Sequence, residues 1–347
     1  MHLRNGLNPD QAAQCVPIGD RSALRIVAGE PSYLNILDAV NAWQLVHAAS
    51  RLLHEPVATS FKHVSPAGAA TAGALDASMA ALYRVDADAS PITTAYVRAR
   101  DADPKSSYGD LIAVSEPVDE HLTDLLLRVV SDGIIAPGFA PGTVAKLGAK
   151  KRGRFLLIEA DGGFAPPKIE TREVYGLRLT QHAAPEITAE LIPSDVPPSV
   201  RRDLLLGLVV LQFTQSNSTA YVRDGMTLGI GAGQQSRIDC TRFAGEKADV
   251  WWARRRLIEL TGDRVQDRVA AQIAALETGS VDGPGLTDVA YVSDGALPFR
   301  DNVDEAWRHG VTHIAEPGGS IRSDDVARAC DEHGIRLIRI GRRLFHH

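Results

Sequence analysis

Short apolar runs alternate with longer amphipathic stretches along most of the chain. Apolar positions recur at helical spacing from Ile36 to Leu53, and a short strand-like run, VATSF, follows Pro56. Spacing of three and four residues predicts a helix with one buried face, whereas short runs rich in β-branched residues predict strands. The same patterns predict helices in segments 74–85, 90–101, 119–130 and 143–151, and strands in 111–115, 133–139 and 154–160. This alternation indicates an α/β layered fold.

A Pro-rich, weakly periodic stretch divides the pattern into two parts. Residues 162–198 surround one extended piece, YGLRLTQ, and are predicted as a connector. A strong helix then starts near Pro198, and Asp224-Gly225 predicts a tight hairpin between TAYVR and TLGIGAG. We therefore predict two units, residues 1–198 and 199–347; in an alternative, the last strands pack back on the first unit. Residue identities show no internal repeat.

Composition and charge exclude several classes of protein. The chain has 347 residues and a formal net charge of −6, which argues against general nucleic-acid binding but leaves room for a local basic pocket. Cys15, Cys240 and Cys330 lack the spacing of a disulfide framework or a zinc site. The longest apolar run, 204–211, is too short to span a bilayer, and the stretch MHLRNGLNPDQ has no apolar h-region, so we expect no signal peptide. We expect a cytoplasmic protein that binds neither nucleic acid nor membrane.

The stretch SFKHVSPAGAA, residues 60–70, places two basic side chains beside a run of very small residues. Lys62 can bind a phosphate or stabilise an oxyanion, and His63 can transfer a proton near neutral pH. The small residues from Pro66 to Ala70 occupy little space and are interpreted as letting either a backbone or a ligand approach closely. Taken alone, the stretch is more typical of an exposed lysine and a core histidine beside a turn.

The stretch TQSNSTAYVRDGMTLGIGAGQQSR contains alternating glycines without the dinucleotide-binding spacing. Asn217 supplies a donor and an acceptor and Arg237 a planar fork, so both are candidates to line a groove. The simpler alternative is a Gly-rich hairpin that leads into a helix.

Two later stretches also combine polar groups with loops. In SDGALPFRDNVD, an aromatic ring and polar groups suit a heterocycle, although the loop by itself is more typical of a helix start capped by Asp301 or Asn302. The C-terminal GRRLFHH contains basic residues that suit a phosphate. A frayed, solvated tail is the alternative.

These motifs occur in a fixed order along the chain: SFKHVSPAGAA, SSYGDLIAVSEPVD, VSDGIIAPGF, TQSNS, GIGAGQQSR, PFRDNVD and RLFHH. Together with LRNGLNPDQ and LNILDAVNAWQLV, they closely resemble the 5-aminoimidazole-4-carboxamide ribonucleotide (AICAR) transformylase domain of bifunctional purine-biosynthesis proteins. The resemblance covers nearly the whole chain. The inosine monophosphate (IMP) cyclohydrolase domain usual in that family is not matched, so we expect a stand-alone transformylase working with a separate IMP cyclohydrolase.

The resemblance implies an α/β fold of two cytidine-deaminase-like α/β/α units. The deaminase zinc signature is absent from the sequence, so we expect no zinc. The resemblance also implies a homodimer with shared active sites. The implied reaction transfers a formyl group from the co-substrate 10-formyltetrahydrofolate to the 5-amino group of AICAR, giving formyl-AICAR in de novo purine biosynthesis.

The resemblance further implies roles for individual residues. His63 matches the family's proton-transfer residue, Lys62 its cationic partner, and Asn217 an asparagine near the transfer centre. Arg4 and Arg343 match the arginines that hold the nucleotide phosphate, the second from the partner subunit. The remaining matches are Asn35, Gly109, Asp132, Arg237 and Phe345 on the nucleotide side, and Ile238, Pro298, Phe299, Asp301 and Asn302 on the folate side.

The chain departs from the family pattern at four positions. Asn5 replaces a tyrosine and Gln212 a lysine, while Ala296 and Leu297 replace two phenylalanines, one of which stacks on the imidazole. Loss of such a ring contact costs on the order of 1 kcal/mol beyond buried area. The altered ring pocket leaves two alternatives: a formyltransferase for a different phosphorylated amino-heterocycle, or a non-catalytic subunit that binds nucleotide or folate. A bound monovalent cation is left open.

Overall fold

One large mixed sheet with helices on both faces forms the body of the chain, which confirms the predicted α/β fold. The computed structural model describes residues 1–19, 22–86, 88–256, 262–278 and 285–347. The strands are β1 His2–Leu3, β2 Ala13–Gln14, β3 Leu24–Ala28, β4 Val57–Lys62, β5 Ser65–Thr71, β6 Asp110–Val114, β7 Ser131–Ala136, β8 Leu156–Ala160, β9 Ile169–Val174, β10 Leu177–His182, β11 Thr219–Arg223, β12 Met226–Gly231, β13 Val289–Ser293, β14 Val311–Glu316 and β15 Arg336–Arg339. The helices are α1 Tyr33–Leu53, α2 Ala77–Tyr83, α3 Pro91–Ala102, α4 Glu120–Arg128, α5 Thr143–Gly148, α6 Pro198–Gln212, α7 Arg237–Arg254, α8 Val265–Thr278, α9 Asp301–Arg308 and α10 Ser323–Glu332.

Two antiparallel hairpins form the centre of the sheet. Within the described residues the strand order is β15-β14-β13-β11-β12-β5-β4-β6-β7-β8-β3. The hairpins β4–β5 and β11–β12 meet at a seam between β5 and β12, where Ala70 pairs with Met226. Parallel strands flank them, β6 to β8 on one side and β13 to β15 on the other. Apolar layers cover both faces and continue across the seam.

The order of elements is repeated on the two sides of the seam. Leaving aside α2 and α8, the run α1, β4, β5, α3, β6, α4, β7 corresponds to α6, β11, β12, α7, β13, α9, β14. Residue identities hide this repeat because packing constrains volume and polarity more tightly than identity. The division between residues 198 and 199 stays a prediction. Helix α6 begins at Pro198. Strand β15 forms one edge of the sheet, and β3 forms the opposite edge.

Small residues on the two central strands allow helices to approach closely. A Cβ built on Gly68 would lie 2.6 Å from the Cβ of Ala102 in α3, and one on Gly229 would lie 2.9 Å from the backbone N of Ala248 in α7. The stretch from Pro66 to Ala70 is therefore a buried strand. The close approach predicted for a backbone is confirmed at Gly68, where α3 packs against the strand, and α3 fills the space that a ligand would need there. Proline, glycine and alanine have low strand propensity, so the pattern hid β5.

The predicted hairpin at Asp224-Gly225 is confirmed, since both residues have positive φ, 53° and 72°, between β11 and β12. The connector holds a second hairpin, in which β10 pairs with β9; only the stretch YGLRLTQ is predicted as extended. In the part of the chain that the structure describes, no helix is both long and apolar enough to cross a membrane.

We expect Gly68→Ala to lower the free energy of unfolding by about 1–3 kcal/mol, because the added methyl overpacks the β5–α3 contact. Urea unfolding followed by circular dichroism measures the change. Gly138→Ala is the control, since the nearest atom to its Cβ would be the Cβ of Pro117 at 4.0 Å. Equal effects of the two substitutions would contradict close packing at Gly68.

Candidate active site

The predicted site residues gather along one edge of the sheet. Strand β4 ends at this edge and β6 and β7 begin there, because β4 is antiparallel to β6. Strands β12 and β13 end at the same edge, since the sheet alternates in direction across the two hairpins. Helices α1, α7 and α9 also begin there. The amide groups at helix starts favour negatively charged ligands.

A tight turn carries the two basic residues. Lys62 ends β4, and His63 and Val64 connect it to β5 with positive φ values of 53° and 59°. The Lys62 ammonium donates a hydrogen bond to the carbonyl of Tyr108. His63 is exposed and Lys62 is half-buried, so the alternative of an exposed lysine and a core histidine is wrong.

Gly109 and Asp132, two of the residues predicted for the nucleotide side, lie beside Lys62. A Cβ built on Gly109 would lie 3.5 Å from Lys62 Nζ and 4.0 Å from Asp132 Oδ1. Gly109 has φ of 74°, a conformation that favours glycine. The ammonium of Lys151 lies 2.6 Å from Asp132 Oδ1. Our sequence reasoning missed Lys151, because it lies in a run of basic residues, and such a run is typical of a solvated surface.

Asp38 of α1 lies under the turn. Its Oδ1 accepts a hydrogen bond from the Val64 amide at 2.7 Å, and the residue is 6% exposed. Burial raises the pKa of Asp38 to about 6, although the Val64 amide and the charges of His63 and Lys62 act in the opposite direction. The sequence reasoning missed Asp38. A possible signal was an aspartate among the apolar positions of a predicted amphipathic helix.

Arg4 and Asn35 lie at the start of α1. Asn35 Oδ1 accepts hydrogen bonds from the backbone N and the Oγ of Ser32, each at 3.0 Å, and so completes the helix cap. The exposed Arg4 is placed at this helix start by its backbone N, which donates to the Pro31 carbonyl at 2.9 Å. The side-chain amide of Asn5 donates to the Gly6 carbonyl at 2.7 Å.

A buried ion pair organises the second part of the site. Arg237 begins α7 and is 8% exposed; its guanidinium pairs with Asp294, which is fully buried. The same guanidinium donates to Asn217 Oδ1 at 2.5 Å and to Ser293 Oγ at 2.9 Å. Arg237 and Asn217 are thus in direct contact, as neighbours lining one groove should be. Arg237 and the carbonyls of Gln234 and Gln235, which accept from Asn217 Nδ2 at 2.8 and 3.1 Å, together fix the orientation of the Asn217 amide.

The C-terminal tail is anchored to this ion pair, so the alternative of a frayed tail is wrong. The Leu344 amide donates to the Asp294 carbonyl at 2.8 Å. Phe345 is 48% exposed, and the guanidinium of Arg343 lies 5.5 Å from the centre of its ring. Both predicted tail residues therefore stand at the surface of the site.

The turn and the Asn217 loop are neighbours. The Gln215 amide donates to Ser65 Oγ at 3.4 Å, which joins the loop before β11 to the first residue of β5. Charges of both signs meet along this edge. Among the described residues, no group of three histidine, cysteine, aspartate or glutamate side chains is placed to hold a metal ion.

The loop before α9 carries the predicted folate side. Asn302 is fully buried; its Oδ1 accepts from Thr241 Oγ1 at 3.0 Å and its Nδ2 donates to Asp301 Oδ1 at 2.7 Å. Asn302 therefore supports the loop from inside. Neither Asp301 nor Asn302 caps the helix, because Arg300 is the N-cap residue and makes no side-chain cap, so that alternative is wrong.

The exposed face of the same loop is partly aromatic. Phe299 is 54% exposed and Pro298 is half-buried, as is Ile238 in the first turn of α7. Leu297 is 1% exposed and belongs to the core, whereas Ala296 is half-buried. Of these two neighbouring residues, Ala296 alone is therefore partly exposed.

We expect Asp294→Ala to lower the free energy of unfolding by about 3–5 kcal/mol, because it leaves the buried Arg237 unpaired. Denaturant unfolding measures the loss. The control Asp195→Ala removes an exposed pair with Arg336, in which the Asp195 side chain is 72% exposed; we expect a much smaller loss there, because solvent screens an exposed pair. A loss at Asp294 no larger than in this control would show that the ion pair does not organise the site.

Comparison with known proteins identifies relatives over the whole chain. A family model described as "AICARFT/IMPCHase bienzyme" matches residues 1–247. The bifunctional purine biosynthesis proteins PurH of Brucella ovis and Brucella abortus are each 30% identical over 358 residues, covering 99% of this chain. The chain spans 58% of the length of these curated relatives. With most of its length matched by the family model, the chain belongs to the AICARFT/IMPCHase bienzyme family.

Proposed function

We propose that this chain transfers a formyl group from 10-formyltetrahydrofolate to the 5-amino group of AICAR, giving formyl-AICAR in purine biosynthesis. The observation that carries the proposal is the single sheet edge where the Lys62–His63 turn adjoins the loop of Asn217. Family membership and the PurH relatives support the same reaction. Leu297 is buried in the core, so its substitution is a weaker reason to expect a different heterocyclic acceptor.

The chemistry needs a base and a stabilised oxyanion. The AICAR amine is conjugated with its carboxamide and must lose a proton as it attacks the formyl carbon, while the folate N10 must gain one as it leaves. His63, exposed at the tip of the turn, transfers the proton. Lys62, oriented by the Tyr108 carbonyl, stabilises the negative charge of the tetrahedral intermediate. Asn217, held by Arg237, faces the transfer centre.

The nucleotide lies along the same edge. Its phosphate is bound by Arg4 at the start of α1, where helix amides add a favourable field, and by Arg343. The other nucleotide contacts are Asn35, Gly109, Asp132, Arg237 and Phe345. On the folate side, the exposed ring of Phe299 packs against the co-substrate with Pro298 and Ile238. Asp301 and Asn302 hold this loop in place.

The proposal includes a homodimer in which each site draws residues from both chains. Exposed aromatic side chains beside the site support it, because Tyr108, Phe299 and Phe345 are each about half exposed, at 52%, 54% and 48%. That a separate IMP cyclohydrolase closes the ring, and that the protein is cytoplasmic, stay predictions.

We expect the purified protein to release tetrahydrofolate from 10-formyltetrahydrofolate and to add the mass of one formyl group to AICAR. His63→Ala should lower kcat by roughly 10²–10⁴-fold, the range for removal of an acid–base group. Lys62→Ala should lower kcat by roughly 10²–10³-fold, the range for loss of a group that stabilises an oxyanion. His121→Ala, an exposed histidine at the start of α4 on the opposite sheet edge, is the matched control and should leave turnover unchanged.

The outcomes separate the candidate functions. Formylation of another amine, with none of AICAR, would favour the alternative acceptor. Binding of folate and nucleotide by a folded protein without any transfer would favour the non-catalytic subunit. Unchanged activity of His63→Ala would remove the assignment of proton transfer to this residue.

Mixing two inactive variants tests the shared site. Lys62→Ala and Arg343→Ala chains, unfolded together in equal amounts and refolded, should recover about one quarter of wild-type activity. About half of the dimers are then mixed, and each mixed dimer has one intact site of two. Activity is measured against each variant refolded alone. A site built from two chains would be ruled out if a mixture shown to contain mixed dimers recovered no activity. Full turnover by a monomeric form would also rule it out.

A further inference from the structure

The turn that presents His63 has an uncommon backbone. Both of its central residues, His63 and Val64, have positive φ, at 53° and 59°. This conformation suits a right-handed twisted hairpin but is disfavoured for residues other than glycine, asparagine and aspartate, and most of all for a β-branched valine. Such a conformation persists when its surroundings hold it in place.

Asp38 supplies that hold. Its Oδ1 accepts the Val64 amide at 2.7 Å, and its side chain projects from α1, whose start is closed by the Ser32–Asn35 cap. The helix neighbours of Asp38, Ala39 and Ala42, are fully buried, so the carboxylate is carried by a well-packed element. The charged groups that act on it are Lys62 and His63 from the hairpin and Asp132 from β7. A bond from a rigid helix to a strained turn limits how far the imidazole can move.

The other half of the sheet contains a matching contact. Asp203 of α6 accepts the amides of Asp224 and Gly225, at 2.8 and 2.6 Å, in the turn between β11 and β12. That turn lies at the opposite sheet edge, where the Gly225 carbonyl accepts from the Thr71 amide. The two aspartates thus hold equivalent turns, but only the turn held by Asp38 carries the Lys62–His63 pair. Asp203 is therefore an internal control for the effect of losing such a bond.

We infer that Asp38 is a positioning residue, which holds the His63–Val64 turn through the Val64 amide and thereby aims the His63 imidazole at the proton that it transfers. The inference rests on the proposed function. Asp38 itself does not touch the reacting atoms; it acts through His63.

Three variants test the inference in the formyl-transfer assay. Asp38→Ala should lower kcat on the order of 10²-fold with little change in the KM for AICAR, because misplacement of a catalytic group by about 1 Å has this effect on the chemical step. Asp38→Asn keeps an acceptor oxygen for the Val64 amide and should restore kcat to within about threefold of wild type. Asp203→Ala removes the equivalent hold from the other turn and should leave kcat per folded molecule within about threefold of wild type.

A second measurement does not depend on turnover. In wild type, the amide proton of Val64 should shift in NMR spectra as Asp38 titrates with its raised pKa of about 6, since the bond to a carboxylate is stronger than the bond to its protonated form. In Asp38→Asn, which retains His63, the shift over the same pH range should be clearly smaller.

The outcomes are distinct. A kcat of Asp38→Ala within threefold of wild type overturns the inference, and so does an equal loss in Asp203→Ala, which would indicate a general effect of stability. An Asp38→Asn variant as inactive as Asp38→Ala overturns the hydrogen-bond role. If the wild-type protein does not formylate AICAR at all, the proposed function fails. The NMR measurement then still tests the hydrogen bond between Asp38 and the Val64 amide, which is overturned if that amide shifts equally in wild type and in Asp38→Asn.

Discussion

The pairing of β5 with β12 is the contact on which the rest of the structure depends. It joins two similar runs of strands and helices into one sheet, although regular strand pairing there is limited to Ala70 and Met226. The Oγ1 of Thr227 completes the seam by bonding both the amide and the carbonyl of Ala69, at 3.0 and 3.2 Å. A sheet centre without these bonds would bury unpaired backbone groups, each at a cost of about 1–3 kcal/mol. Close approach of α3 and α7 covers the seam, and the glycines of β5 and β12 make that approach possible.

The seam also creates the candidate site. Because the direction of the strands alternates across the two hairpins, the amino ends of β6 and β7 share an edge with the carboxyl ends of β12 and β13. An open parallel sheet places its ligands at carboxyl ends only. Here the two kinds of strand end contribute different groups: the basic turn with Asp132 on one side, and Arg237 with Asn217 on the other. Neither half of the sheet contains the whole set.

Buried carboxylates hold both parts of this edge. Asp294 neutralises the buried Arg237 and accepts a backbone amide, while Asp38 supports the turn that precedes β5. Burying a charge is costly unless partners compensate it. The raised pKa of Asp38 shows that its compensation is partial. Burial raises the pKa of Asp203 to about 6 as well, so the lysine and the histidine beside Asp38, and not its pKa, distinguish the two turns.

Much of this protein follows from the sequence by itself. The helices, the hairpin at Asp224-Gly225 and the family were predictable, because amphipathic spacing, turn chemistry and ordered motifs are local properties. Gly109 and Asp132 were expected near the nucleotide only through the resemblance, whereas Asn217 and Arg237 were candidates to line one groove from their own stretch of sequence. Tertiary structure decided the rest. Strand β5 forms from residues of low strand propensity because helix packing requires small side chains there, and Leu297 enters the core because its neighbours leave it no access to solvent. The hydrogen bond from the Val64 amide to Asp38 joins residues 26 positions apart. It depends on how α1 packs against the sheet, and no local pattern in the sequence specifies that packing.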